Sequence, residues 1–161
     1  MPQQYKEDAI RKKRWMHLLD TELRGRHVYV SCPYTSDVAE IRQVRVDTVT
    51  LLAALLFVEG VHVFSPLTHT VPMESKLIEI GHTGRCLEAY NWLDLDYTFI
   101  DKWADRLLIL ALPGWESSHG IREERYWCKN KFIPIRFVDA DDVEVLYHMV
   151  QEKGEQARAE V

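Results

Sequence analysis

The chain has 161 residues, of which 47% are apolar, 11% aromatic and 28% charged. That is the composition of a globular protein with one core, and it excludes disordered and fibrous classes. A net charge of −5 argues against a protein that holds nucleic acid by neutralising its phosphates, while a local site for a small anion stays open.

The longest apolar run, Leu51 to Val58, falls far short of the roughly 20 residues a bilayer span requires, so it reads as a buried helix face and no membrane role is expected. The N-terminal stretch lacks the apolar core of a secretory signal, and a cytoplasmic location is expected. Cys32, Cys86 and Cys128 are widely spaced and odd in number, which fits reduced thiols better than disulfides or a zinc site. Neither a metal nor a cofactor is expected. His62, His69 and His82 have no metal-ligand spacing and read as core or loop histidines.

In chain order, residues 1–26 form a helical extension. Ile10, Trp15, Leu18 and Leu19, with Arg11, Lys12, Lys13 and Arg14 among them, predict an amphipathic helix over 5–23. It should pack on the domain or on a partner subunit, with nucleic-acid contact as the less favoured alternative. Residues 27–161 form an α/β domain. His27 to Cys32, Val61 to Phe64, Leu107 to Leu112 and Phe132 to Val138 are short hydrophobic runs, as strands covered on both faces must be. Asp37 with Glu40 and Asp141 with Glu144 have capping-box spacing and mark helix starts, the second opening a C-terminal helical appendage. The alternation predicts an open, doubly wound parallel sheet of four to five strands, flavodoxin- or Rossmann-like.

Such a sheet binds ligands beyond the carboxyl ends of its strands, where the strand order reverses. The segments expected there are Cys32 to Ser36 and Pro113 to Gly120, both rich in turn and hydroxyl residues. A helix should begin near Ser118, whose hydroxyl caps it or contacts a ligand, beside amides that favour a phosphate or carboxylate. Glu124, four residues after Gly120, faces the same crevice, whereas Glu123 points roughly 100° away and is solvated. The acids Asp94, Asp96, Asp101 and Asp105 are too many for an apolar helix, and at least one should face a pocket. Two convergent carboxylates, one ionised and one protonated, are equipment for cleaving a glycosidic bond.

The run HVYVSCPYTSD, then VFSPLTHTVP, the aspartate-bearing helix and ADRLLILALPGWESSHGIREE resemble, over about residues 27 to 138, the DUF1937 group, related to the nucleoside 2-deoxyribosyltransferases and nucleoside 5′-monophosphate N-glycosidases. The resemblance implies that Glu124 attacks C1′ of the sugar, that Asp96 handles the leaving base, with Asp94 as the alternative, and that Tyr34 shapes the sugar pocket and orients the nucleophile. Ser118 matches a position at which relatives acting on free nucleosides carry an acid and those acting on monophosphates a serine. An acid there would repel a phosphate by about 1 kcal/mol or more. Substrate contact is expected from Ser118, Gly120, Trp115, Pro33, Ser117, His119, Ser36 and His69. Among Trp92, Trp103, Trp115 and Trp127, Trp115 is the one expected to stack a base. Arg125 and Cys128 depart from the family pattern.

The resemblance further implies a homodimer or higher homo-oligomer with shared sites. The substrate is then a small nucleotide or nucleoside, and hydrolysis and transfer both stay open. The alternative is a protein that binds a nucleotide or nucleotide-derived signal without turning it over. It is favoured if Glu124 is paired with Arg122 or Arg125 and sealed from the pocket.

Overall fold

The computed structural model describes residues 2–84 and 91–160; Cys86 lies outside the described residues. Four parallel strands form one sheet in the order β2-β1-β3-β4, with β1 at His27–Ser31, β2 at His62–Phe64, β3 at Arg106–Leu110 and β4 at Ile135–Val138. Helices α1 (Gln3–Leu18), α2 (Ala39–Val58), α3 (Pro66–Glu79), α4 (Trp92–Lys102), α5 (His119–Asn130) and α6 (Ala140–Ala159) surround it. The α/β class and open parallel sheet are those read from the sequence.

Alternation along the strands explains the two-sided core. In β1, Val28 and Val30 join one cluster while Tyr29 joins the other; in β3, Leu108 and Leu110 oppose Leu107 and Ile109 in the same way. Successive side chains of a strand point to opposite faces, so both strands need helices on each side. One face is covered by Trp15, Leu18, Leu52, Leu56, Leu146 and Met149, from α1, α2 and α6. The other is covered by Ile100, Ile121 and Cys128, from α4 and α5.

The N-terminal extension is part of that core. Trp15, Leu19 and Leu23 are each 1% exposed, and the Trp15 indole N–H donates to the Asp142 carbonyl at 2.7 Å. The basic cluster is used inside the chain. Arg11 reaches Asp139 at 2.8 Å and Asp142 at 2.7 Å, Arg14 pairs with Asp142, and Lys12 pairs with Glu152 at 3.0 Å. After α1 the chain makes a π-helical turn, Leu19–Leu23, before β1.

Several expected boundaries are corrected. β1 stops at Ser31, β2 starts at His62 and β3 runs from Arg106 to Leu110. Phe132 belongs to a left-handed turn (φ 57°) and is 92% exposed, so β4 begins only at Ile135. The capping box of α6 is Asp139 with Asp142, two residues before the pair expected. That frame lets Arg11 join both carboxylates, which a window along the chain cannot reveal. For α2 the N-cap is Val38 without a side-chain cap; Ser36 instead accepts the Val38 N–H at 3.2 Å. Within Leu51 to Val58, Leu52, Leu55 and Leu56 are buried while Phe57 and Val58 are exposed. Among the described residues, no helix is long and apolar enough to cross a membrane.

Candidate active site

β1 and β3 are neighbours, with Ser31 beside Ile109, so the loops that follow them open together at the point where the strand order reverses. A cavity of about 600 Å³ lies there, and Pro33, Tyr34, Gly114, Ser117, Ser118, His119 and Gly120 line it from those two loops and the start of α5. The crevice segments expected from the sequence do meet.

One buried carboxylate, Asp96, lines it, and a second, Glu124, is electrostatically coupled to the first. Asn91 caps α4 by accepting the Asp94 N–H at 3.1 Å, which leaves Asp94 exposed and turns Asp96, with Ile100 one turn on, toward the protein. Asp96 is 6% exposed and lines the cavity. Its Oδ1 is buried without a hydrogen-bond partner among the described residues. Of the two candidates, Asp96 is therefore the one at the cavity.

Glu124 lies one turn along α5 from Gly120 and is 5% exposed. The Tyr29 hydroxyl donates to its Oε1 at 2.9 Å, and the Ser31 hydroxyl donates to its Oε2. It is not paired with Arg122 or Arg125. Arg122 meets the His119 ring at 2.7 Å, and the Arg125 guanidinium lies 5.7 Å from the ring centres of both Trp115 and Phe137. Glu123 is half-exposed. Cys128, one turn beyond Glu124, is buried in the core and its thiol is pushed up to about 12 by burial.

Burial pushes the Glu124 carboxyl up to about 8; the Ser31 hydrogen bond opposes this, the Asp96 charge adds to it and the Tyr29 hydrogen bond opposes it. Burial also pushes Asp96 up to about 7. The two interact, so they titrate as a pair and share protons near neutrality. The two hydroxyl donors favour the anion at Glu124 but do not outweigh its burial, and burial alone acts on Asp96. Burial, followed by the Glu124 and Asp96 charges, raises the Tyr29 phenol, which keeps it a donor.

The pair has a consequence for stability. A buried carboxyl whose folded value is raised stabilises the fold least where it must ionise: the contribution is complete below about pH 4 and is lost as pH rises through the folded value. Asp96→Asn removes that loss and should stabilise the protein by about 2 to 4 kcal/mol at pH 8, with little difference near pH 4. Thermal melts of both proteins across pH 4 to 8 check it; equal melting temperatures at pH 8 would contradict the raised Asp96.

The other expected residues are distributed as follows. Ser118 caps α5, accepting the Ile121 N–H at 3.4 Å, and also lines the cavity. Ser117 donates to the Gly114 carbonyl at 3.1 Å. Tyr34 lines the cavity, but the aromatic that holds Glu124 is Tyr29. Trp115 packs on Phe137 with ring centres 5.2 Å apart, and Trp92 is the tryptophan lining the cavity. Ser36 and His69 are not among the lining residues. The His69 ring rests near Phe64 and Phe99, with centres 5.7 and 6.1 Å away.

Sequence reasoning missed Tyr29, Ser31 and Arg45. The first two had a signal: they sit two apart on one face of a strand whose other face is apolar, and polar groups so buried require partners. Arg45 of α2 ties the two loops together, donating to the Thr35 carbonyl at 2.8 Å, the Tyr34 carbonyl at 3.2 Å and the Pro113 carbonyl at 2.7 Å. Gly114 makes room for it. Its φ is +93°, and a Cβ there would lie 2.9 Å from Arg45 Nη2. Arg45 lines the cavity with the first turn of α5, so one pole combines a cation with free helix amides.

A larger depression of about 710 Å³ lies between the end of α2 and α6. Arg24 and Lys153 there both pair with Glu59, at 2.6 and 2.8 Å, and Arg158 also lines it.

The molecule is thus a Rossmann-like parallel α/β protein with two buried carboxylates under a crevice at its topological switch point. The model of the domain of unknown function DUF1937 matches residues 26–138, and the chain belongs to that family. No curated protein matches it.

Proposed function

We propose that the protein cleaves or transfers the N-glycosidic bond of a nucleoside 5′-monophosphate or nucleoside, with Glu124 as nucleophile. The observation that carries this reading is the pair itself: a buried carboxylate held by two hydroxyls, electrostatically joined to a second that lines the cavity and has a buried oxygen without a partner. Structural carboxylates are normally matched by cations or amides, and this pair is matched by neither.

In the proposed reaction a Glu124 oxygen attacks C1′ and the C1′–N bond breaks, its electron pair leaving with the base. The Asp96 proton passes to the departing base. A glycosyl ester on Glu124 remains, and water or a second base, deprotonated by Asp96, attacks C1′ and releases Glu124. Tyr29 and Ser31 hold the carboxylate in position throughout. Arg45 and the α5 amides supply the pole for a phosphate.

Ser118 bears on the choice between monophosphate and nucleoside. Ser118→Asp keeps an N-cap but brings a second negative charge against the phosphate, and should lower kcat/KM for monophosphates by about tenfold while sparing nucleosides. Parallel assays on the two substrate types check this; an unchanged ratio would place the phosphate elsewhere.

A second reading, binding without turnover, is favoured by one observation: Glu124 is 5% exposed and is not itself among the residues that line the cavity. Chromatography of (deoxy)nucleoside monophosphates and nucleosides incubated with the protein, with and without an acceptor base, separates the two readings. Free base from the native protein supports catalysis, and exchange into the acceptor supports transfer. A nucleotide that binds and stays intact supports the second reading. The homo-oligomer expected from the resemblance belongs to this proposal too, and light scattering of the purified protein tests it.

A further inference from the structure

Part of the cavity wall is built from one face of α3. Pro66, Thr70 and Glu74 recur every four residues along it, so they share that face, and all three line the cavity. The Thr70 hydroxyl donates to the Pro66 carbonyl at 2.8 Å, which commits its proton and leaves its lone pairs free. Glu74 is half-buried and has no hydrogen-bond or ion-pair partner among the described residues; its charge is felt by Tyr34, which also lines the cavity. Trp92 and Leu93 line the cavity from α4, on the turn that carries Asp96, whose Oδ1 also lacks a partner. This end of the cavity offers an aromatic and an aliphatic surface with two groups, Thr70 and Glu74, that only accept hydrogen bonds.

We infer that Glu74, with Thr70 behind it, is the residue that selects the nucleobase, favouring a base edge with adjacent N–H donors. Guanine presents two such donors side by side and matches a carboxylate best. Adenine and cytosine each present one amino group and come next. Thymine and uracil present a single N–H flanked by carbonyl oxygens, whose lone pairs face those of the carboxylate and oppose binding. The charges of the two poles then fix one orientation: phosphate toward Arg45, base toward Glu74, and the glycosidic bond between them above Asp96.

This inference rests on the nucleotide reading above, and the experiment separates their failures. Calorimetric titration of Glu124→Gln, which removes turnover, with dGMP, dAMP, dCMP, dTMP and dUMP should find dGMP bound about tenfold or more tighter than dTMP. In the Glu124→Gln, Glu74→Gln double variant the amide supplies a donor as well as an acceptor, and the ratio should fall to about threefold or less. The ratio of dGMP to deoxyguanosine should stay the same, because the phosphate pole is untouched. Because Glu74 is without a partner, the double variant should melt at the temperature of Glu124→Gln, which verifies that it is folded. Nucleotide binding with dTMP preferred, or a dGMP preference that survives Glu74→Gln, would overturn the base assignment and leave the nucleotide reading standing. Failure of all five and of deoxyguanosine to bind would overturn both.

Discussion

Glu124→Gln is expected to lower base release by about a thousandfold or more while nucleotide affinity changes by less than about threefold. The substitution keeps the size and hydrogen-bonding shape of the side chain, and the Tyr29 and Ser31 hydroxyls can rotate to suit an amide. What is lost is the anion that would attack C1′, an interaction made in the transition state rather than in the bound complex. Single-turnover chromatography and calorimetry on the same preparation check the two halves. Because Glu124 is itself raised by burial, the variant should also be at least as stable as the native protein at pH 8. Loss of activity therefore cannot be put down to unfolding.

The second large effect concerns stability. Trp15→Ala should destabilise the protein by about 3 to 5 kcal/mol, a large share of the stability of a domain this size. The indole is 1% exposed in the core between α1, α2 and α6, and its N–H is satisfied by the Asp142 carbonyl. Removing it leaves a cavity and takes the indole donor from the Asp142 carbonyl, beside the carboxylate that anchors Arg11 and Arg14. Urea unfolding of the variant measures the change. A loss below about 1 kcal/mol would mean that α1 is a dispensable appendage rather than a wall of the core.

Much of this architecture was legible from the residues. HVYVS and RLLIL are short, mostly apolar and separated by helical stretches, which is enough to give a covered parallel sheet. The GWESSHGIREE run placed the start of α5 at Ser118 and turned Glu124 inward. Legibility failed where a distant partner decides the outcome. Arg11, more than 120 residues away in the chain, reaches the Asp139 and Asp142 pair that caps α6. Trp115 was expected in the crevice because of its place in the loop, yet Phe137 at the sheet edge and Arg125 offer it a surface of its own. The resemblance points to Tyr34 as the orienting aromatic and leaves Tyr29 unnoticed. Within β1, however, a tyrosine and a serine two residues apart already pointed to a polar partner on one face. Arg45 carried no signal in sequence, since a basic residue on an amphipathic helix is ordinarily solvated.

The central claim is that Glu124 is a nucleophile. It is tested most directly by mixing the protein with the nucleotide it binds best, quenching within one turnover, and mapping the mass of the peptide that contains Glu124. A nucleophilic Glu124 gives a mass increase equal to the glycosyl group on Glu124, formed as free base appears and absent from Glu124→Gln. Base release that persists in Glu124→Gln, or an intact nucleotide bound to an unmodified native protein, would contradict it.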